Sequence, residues 1–253
     1  MTALELTGRA RSHIVELQDP PCALHTDAAA PFLNLRRAAS AEGFDVAVAS
    51  GFRDFERQLA IWNGKFAGTV PLYDGTGSPL AAAALPPPER VAAILHWSAL
   101  PGASRHHWGT DLDLVDRNAI PAGYRVQLTA AEYAAPGPFA PLVEWLDANA
   151  ARFGFFRPFR GILSGVRPEL WHYSFAPLAE SARRRLTVEL LREALTGAQM
   201  LAKEHVLAHL DELHARYVAS TCSLASICAP VSASRSNSTV NRRRADSASG
   251  AKL

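Results

Sequence analysis

At 253 residues the chain is long enough to bury one sizeable core with appendages, and its apolar content of 48% is that of a globular protein. The formal net charge of +2 is uneven: residues 220–253 carry Arg235, Arg242, Arg243, Arg244 and Lys252 against Asp246, which leaves the rest at about −2 and without the basic face that nucleic acid requires. No apolar run approaches the ~20 residues of a membrane-spanning helix, and Cys22, Cys222 and Cys228 are too few for a disulfide framework and read as unpaired thiols.

The amino-terminal stretch MTALELTGRARSHIVEL has no charged start followed by an apolar segment, so it does not read as a secretory signal and the pattern alone implies a cytoplasmic chain. Residues 27–42 are predicted helical, capped by Thr26 or Asp27, with Phe32, Leu35 and Ala39 inward and Gly43 as the stop. Residues 44–50 (FDVAVAS) alternate as a strand, and 54–66 follow as a helix with Gln58 on its first turns. The Gly-, Pro- and Ala-rich stretch 68–88 reads as a surface loop, and 89–100 as a short helix. Residues 110–116 (TDLDLVD) alternate apolar and acidic, a strand pattern entered through Gly109. A loop insertion is expected over 117–135, then a helix over 139–152 with Leu142, Trp145 and Leu146 inward.

The stretch 155–167 is a Gly-punctuated loop bearing Arg157, Arg160 and Arg167, three cations available to substrate carboxylates or to solvent. Residues 171–175 (WHYSF) alternate as a strand antiparallel to the first, with His172 on one face and Trp171, Tyr173 and Phe175 on the other. From 177 to 218 the pattern is an amphipathic helical hairpin broken at Gly197, able to pack on the domain, on a partner or on a second copy. His205, His209 and His214 on its second helix lack the acidic neighbour of a metalloprotease helix and read as solvated. Residues 219–253 hold nine serines and an arginine triplet and cannot bury enough surface to fold.

Two segments carry the chemistry: Ser104-Arg105-His106-His107-Trp108-Gly109-Thr110-Asp111-Leu112-Asp113, and Glu169-Leu170-Trp171-His172. They supply imidazoles and a carboxylate in the number a catalytic zinc needs, three protein ligands with one position left open. They also supply a second carboxylate, Glu169, close enough to serve as a base without being a ligand. Asp111 and Asp113 share a strand face, so alternation leaves open which of them would bind.

The first segment resembles the S-x-H-x2-G-x-A-x-D signature of the D-Ala-D-Ala metallopeptidases, which include vancomycin-resistance D,D-carboxypeptidases and D,D-dipeptidases and are related in fold to hedgehog amino-terminal domains. Glu169-x2-His172 with Trp171 between resembles that family's E-x-W-H box, and Ser50-Gly51-Phe52-Arg53 with Gln58 downstream resembles its S-G-Y-R-S segment. Two departures are Asp111, where the signature has Ala, and Phe52, where Tyr is usual. The resemblance implies one Zn2+ on His106, Asp113 and His172, Glu169 as general base, Arg53 beside the scissile carbonyl, and Ser104 and Gln58 as contacts to the substrate's polar ends.

The expected architecture is therefore α+β: a small, mostly antiparallel sheet carrying the zinc site and flanked by helices over 1–176, a helical hairpin over 177–218, and a tail over 219–253. The expected reaction is hydrolysis of a peptide bond in peptidoglycan or a muropeptide, with a D-alanyl-D-alanine carboxypeptidase first and a dipeptidase or endopeptidase second. That expectation sits against the lack of a secretory signal, since such substrates belong to the cell wall. A binding module holding a wall peptide without cleaving it is the rival from another class, and Glu169 speaks against it, because a pure binder has no use for a base beside a metal.

Overall fold

The computed structural model describes residues 1–161 and 165–220. The chain opens with α1 (Ala3–Leu6), closed by a capping box in which Thr2 and Glu5 each accept the other's backbone N–H. A hairpin of β1 (Ile14–Gln18) and β2 (Pro21–His25) runs directly into α2 (Thr26–Ala41). Phe32, Leu35 and Ala39 are buried as the periodicity predicts, but the cap is His25, whose Nδ1 accepts the Asp27 N–H at 3.1 Å, rather than Thr26 or Asp27. β3 (Val46–Ser50) leads to α3 (Phe55–Ala67), capped by Asp54 and stopped by Gly68. The stretch expected as a plain loop contains a two-residue hairpin, β4 (Leu72–Tyr73) with β5 (Pro79–Leu80), before α4 (Pro87–Leu95).

A 3-10 turn, Arg105–Trp108, then delivers the chain into β6 (Asp111–Asp116). The expected insertion holds a 3-10 turn, Arg117–Ala119, and α5 (Ala130–Tyr133), the latter again with a capping box, Thr129 with Glu132. α6 (Ala140–Asn149), β7 (Phe155–Phe156) and β8 (His172–Phe175) complete the sheet region. β3, β6, β8 and β7 lie side by side in that order, every neighbour antiparallel.

One sheet face is apolar. Leu112, Leu114, Tyr173 and Phe175 pack against Phe32 and Leu35 of α2 and Leu142 and Leu146 of α6. The other face carries Asp111, Asp113, His172 and Ser174, all buried. Trp171 departs from the expected alternation. β8 begins only at His172, so Trp171 sits in the turn before it and packs with Tyr133 and Phe139, its ring centroid 5.4 Å from that of Tyr133.

Residues 177–218, expected as a two-helix hairpin, break into α7 (Ala176–Arg185), α8 (Val188–Thr196), α9 (Lys203–Ala208), α10 (Leu210–His214) and a π-type turn, Ala215–Ala219. The interruptions have local causes. Leu186 leaves helical geometry and Thr187 caps α8 by accepting the Leu190 N–H, while Ala202 enters α9 from a left-handed conformation. These helices share a core with α3 and α4, in which Leu186, Leu191, Leu195, Val206 and Leu210 meet Phe55, Trp62 and Ile94. Beyond Ser220 the expected tail lies outside the described residues, as do Cys222 and Cys228.

Two residues lock the turn that precedes β6. Gly109 has φ +65, and a Cβ there would meet the backbone nitrogen of His25 at 2.6 Å and the side chain of Ile14. The same approach lets the His25 N–H donate to the Gly109 carbonyl at 2.8 Å. His107 is fully buried; its Nε2 accepts the Gly102 N–H at 3.1 Å, so its Nδ1–H donates to the Arg53 carbonyl at 2.6 Å. Both bonds need the neutral ring, and burial holds its pKa down to about 4.

Gly109→Ala is expected to lose about 3 kcal/mol in urea unfolding, from the left-handed backbone and the overlap with β2. The unfolded chain takes up a proton on His107 below about pH 6.5 while the folded chain resists until about 4, so stability falls as pH drops through that window. Replacing the residue in His107→Gln should shrink the stability difference between pH 7 and pH 4.5 by roughly 2 to 3 kcal/mol; an unchanged difference would assign the acid sensitivity elsewhere.

Candidate active site

Asp113 occupies the middle of the sheet, paired across β3 with Ser50 and across β8 with His172. His106 reaches it from the 3-10 turn, whose backbone is fixed by the Arg53 N–H donating to the His106 carbonyl at 3.2 Å. His106 Nδ1 lies 2.8 Å from the Gly51 carbonyl, which assigns the proton to that nitrogen and leaves the Nε2 lone pair facing Asp113 Oδ2 at 3.5 Å. His172 is arranged the other way round. Its Nε2–H donates to Asp111 Oδ1 at 2.8 Å, which turns the Nδ1 lone pair towards Asp113 Oδ1 at 3.1 Å and Glu169 Oε2 at 3.3 Å.

One donor atom from each of His106, Asp113 and His172 lies within 4.8 Å of the others. Although His172 Nδ1 is close to Asp113 Oδ1, the direction is wrong for a hydrogen bond and that buried oxygen has no hydrogen-bond partner. A lone pair and a carboxylate oxygen aimed at one point repel unless a cation or proton stands between them. Two imidazole nitrogens and one carboxylate with an open side are the donor set of a catalytic divalent cation, so the residues present fit one. Among the described residues no other group of metal-ligating side chains converges in this way.

The electrostatics agree with that reading. Burial, reinforced by Arg53, holds His106 down to about 3, a neutral ligand at any ordinary pH. Burial works against the charged form of His172 as well, but Asp111, Asp113 and Glu169 override it and raise its pKa well above the ordinary value. Without a metal that ring carries a proton, and a cation replaces it. Burial raises the Glu169 carboxyl, with Asp113 adding to the effect, which moves it towards the range a general base needs.

Spacing alone left Asp111 and Asp113 as equal candidates, and the geometry separates them. Asp111 accepts from Arg105 Nε at 2.7 Å and His172 Nε2 at 2.8 Å on one oxygen, and from Thr110 Oγ1 at 2.6 Å and Ser174 Oγ at 3.0 Å on the other. Its oxygens are committed behind the imidazole, so it orients a ligand instead of being one. The Arg105 guanidinium beside it keeps its carboxyl ionised against burial.

The site opens into a cavity of about 520 Å³ whose walls include Arg53, Ser104, Glu169 and Trp171. Arg53 donates to Gln58 Oε1 at 2.7 Å and Ser50 Oγ at 3.0 Å, and it forms no ion pair among the described residues. Ser104 lines the cavity as expected. Gln58 is 0% exposed; its Oε1 accepts from Arg53 and its Nε2 donates to the Ala99 carbonyl at 2.8 Å. It positions Arg53.

Of the two roles open to Arg157, Arg160 and Arg167, the cavity lining includes none of them; the first two pair with Asp147, and the third lies against Gly75. Sequence reasoning missed Lys65 on α3, and Tyr217 and Val218 at the chain's far end, all on the cavity wall. The spacing of Gln58, Ile61 and Lys65 on one helix face was the available signal for the first.

Comparison with known proteins adds the following. A family model described as VanY, D-alanyl-D-alanine carboxypeptidase, matches residues 22–178. An uncharacterised protein of Haemophilus influenzae is 38% identical over 118 residues, which cover 46% of this chain and 90% of that protein. A D-alanyl-D-alanine carboxypeptidase of Enterococcus faecalis is 31% identical over 157 residues, 60% of this chain and 48% of the relative. Among solved structures, VanYB in complex with D-alanine-D-alanine is 24% identical with a TM-score of 0.49, over 73% of this chain and 89% of that one. A VanY D,D-pentapeptidase variant in complex with Zn(II) is 25% identical with a TM-score of 0.47, over 70% and 86%.

Asp111→Ala is expected to weaken divalent-metal affinity about 10- to 100-fold, read by competition with a chromogenic chelator. Asp111→Asn, which keeps an acceptor towards His172, should lose less; equal affinity in all three proteins would remove Asp111 from the metal's support.

Proposed function

The chain belongs to the VanY D-alanyl-D-alanine carboxypeptidase family, and from that premise we propose that it is a zinc-dependent peptidase removing the terminal residue from a D-Ala-D-Ala-ended peptide of peptidoglycan origin. The observation that carries the reading is the buried convergence of His106, Asp113 and His172 with Glu169 beside them and a cavity in front. Two imidazoles and one carboxylate suit zinc among the biological divalent ions. When bound, zinc would polarise the scissile carbonyl and make water acidic enough to attack at neutral pH.

The chain's own residues do the rest. Glu169 takes the proton of the attacking water and returns it to the leaving amine, so a single carboxyl serves as base and then acid. Its raised pKa brings the two steps closer in driving force. Arg53, held rigid by Gln58 and Ser50, presents a fixed guanidinium to the oxygen on which negative charge develops. Asp111 keeps the His172 ring turned so that Nδ1, not Nε2, faces the reaction. Trp171 and Phe159 give the cavity apolar walls, and Phe159 meets the His172 ring edge to face at 5.0 Å.

The test is zinc content together with hydrolysis of a D-Ala-D-Ala-terminated pentapeptide by wild type and Glu169→Ala. We expect one zinc in both and a kcat about 1,000-fold lower in the variant, with release of a single D-alanine identified by mass. Zinc in both with no cleavage by wild type would replace the hydrolase reading by that of a peptide-binding module.

A further inference from the structure

Two arginines rest on one strap at an edge of the cavity, and neither has a counter-charge. Arg167 belongs to the strap that runs from Gly165 to Glu169; its N–H donates to the His96 carbonyl at 3.0 Å, and its guanidinium packs against Gly75, where any Cβ would overlap it. Arg216 comes from the far end of the chain. A Cβ on Gly165 would lie 3.0 Å from Arg216 Nε and 2.9 Å from the Tyr217 ring, and the Arg216 guanidinium stands 5.2 Å from the centre of that ring. Gly165 has φ +96, a conformation glycine adopts without strain, so its backbone can turn under both side chains. This edge is where the cavity meets solvent. Thr76 and Gly77 line it and are exposed, and Val166 and Tyr217 line it beside the two arginines in sequence. Arg216 is exposed and Arg167 half-buried.

Among the described residues neither guanidinium forms an ion pair, and Arg167 Nε is buried without a hydrogen-bond partner. Asp74, next to Gly75, turns one carboxylate oxygen to the Thr76 and Ser78 N–H groups and the Thr76 hydroxyl. Burial, then Arg167 and Arg216, push the His96 pKa below its ordinary value, so both cations act on one neutral ring. Two like charges drawn to one place without an acid repel each other, and a bound anion removes that cost. Guanidinium forks suit a carboxylate in particular, because two parallel N–H groups meet its two oxygens.

We propose that Arg167 and Arg216 form an anion subsite at the edge of the cavity, which takes a side-chain carboxylate carried by the substrate upstream of the scissile bond. The inference rests on the peptidase reading above and deepens it. The end of the peptide reaches the metal, so the rest of it leaves past the cavity edge, outside the wall that surrounds the reacting groups. Arg216 lies beyond the residues matched by the family model, so this preference belongs in part to the chain's distal segment.

The experiment compares zinc-loaded wild type, Arg167→Met, Arg216→Met, the double variant and Arg37→Met on two pentapeptides, both ending in free D-Ala-D-Ala. One carries carboxylate side chains at its second and third residues, and the other has them amidated. Wild type should favour the acid about 10-fold in kcat/KM, through KM, and the preference should shrink as salt rises from about 0.05 to 0.5 M. Each single arginine variant should lose about threefold of it, and the double variant should distinguish the peptides less than about twofold. Arg37→Met removes an exposed cation from α2 and should keep the wild-type ratio. Zinc content, and kcat on the amidated peptide, should be unchanged in every variant, which separates the subsite from the fold and the chemistry. The proposal is overturned if wild type has no preference, if the double variant keeps it, or if Arg37→Met loses as much. Should Arg167→Met fail to fold or lose zinc, Arg216→Met decides, because its side chain is exposed: a reduced ratio supports the subsite and an unchanged one removes it. Should wild type cleave neither peptide, calorimetric binding of both decides: an acid preference abolished in the double variant keeps the subsite while the hydrolase reading falls, and no preference removes the subsite.

Discussion

The sheet is organised around a charge problem. Asp111, Asp113 and Glu169 all press on the ring of His172 in a region closed to water, and bare carboxylates do not stay ionised there without compensation. Compensation comes from fixed places. Arg105 and the hydroxyls of Thr110 and Ser174 satisfy Asp111 from behind, and the remaining negative charge, Asp113 and Glu169, is left for a cation in front. The antiparallel register of β3, β6 and β8 is what sets those distances. A slip of one residue in β6 would turn both aspartates into the apolar layer of α2 and α6.

The backbone details around the site serve the same end. The register shift between Val48 and Ser50 skips Ala49 and sets Ser50 opposite Asp113, where its hydroxyl accepts from Arg53, so the irregularity in β3 lies where the guanidinium has its second anchor. The short 3-10 turn brings His106 back beside the strand that follows it, and His107, Gly109 and the Arg53 carbonyl hold that turn against β2 and α3. Trp108 ties it to the amino terminus, its Nε1–H donating to the Leu6 carbonyl at 3.1 Å. One ligand thus depends on contacts with three separate parts of the chain.

Much of this was legible before any coordinates. The alternation of 110–116 and 171–175 gave both ligand strands, the 3.6-residue pattern gave α2 and α6, and the paired motifs named the residues that converge. What stayed hidden depends on direction and on distant partners. Alternation places Asp111 and Asp113 on one face but cannot tell that Arg105 and Ser174 occupy the first of them. The burial of Gln58 under Arg53 is hidden too, because an exposed amide and a buried one read alike in sequence. The arginines near Glu169 drew attention by proximity in the chain, yet Asp147 on α6 takes two of them, while Lys65, distant in sequence from both ligand-bearing segments, lines the cavity. The carboxy-terminal helices were seen as one hairpin because breaks such as Thr187 and Ala202 interrupt the backbone without interrupting the leucine pattern.

The cavity wall is drawn from two parts of the chain. Residues matched by the family model end at 178, and all the ligand-bearing strands fall within them. Tyr217 and Val218 line the same cavity from beyond that boundary, carried on helices that pack against α3 and α4 and not on the sheet. Changes in this distal wall can therefore redraw the shape of the chamber while leaving the metal's surroundings untouched. The outline of the chamber and the placement of its ligating side chains are thus set in part by different segments of the chain.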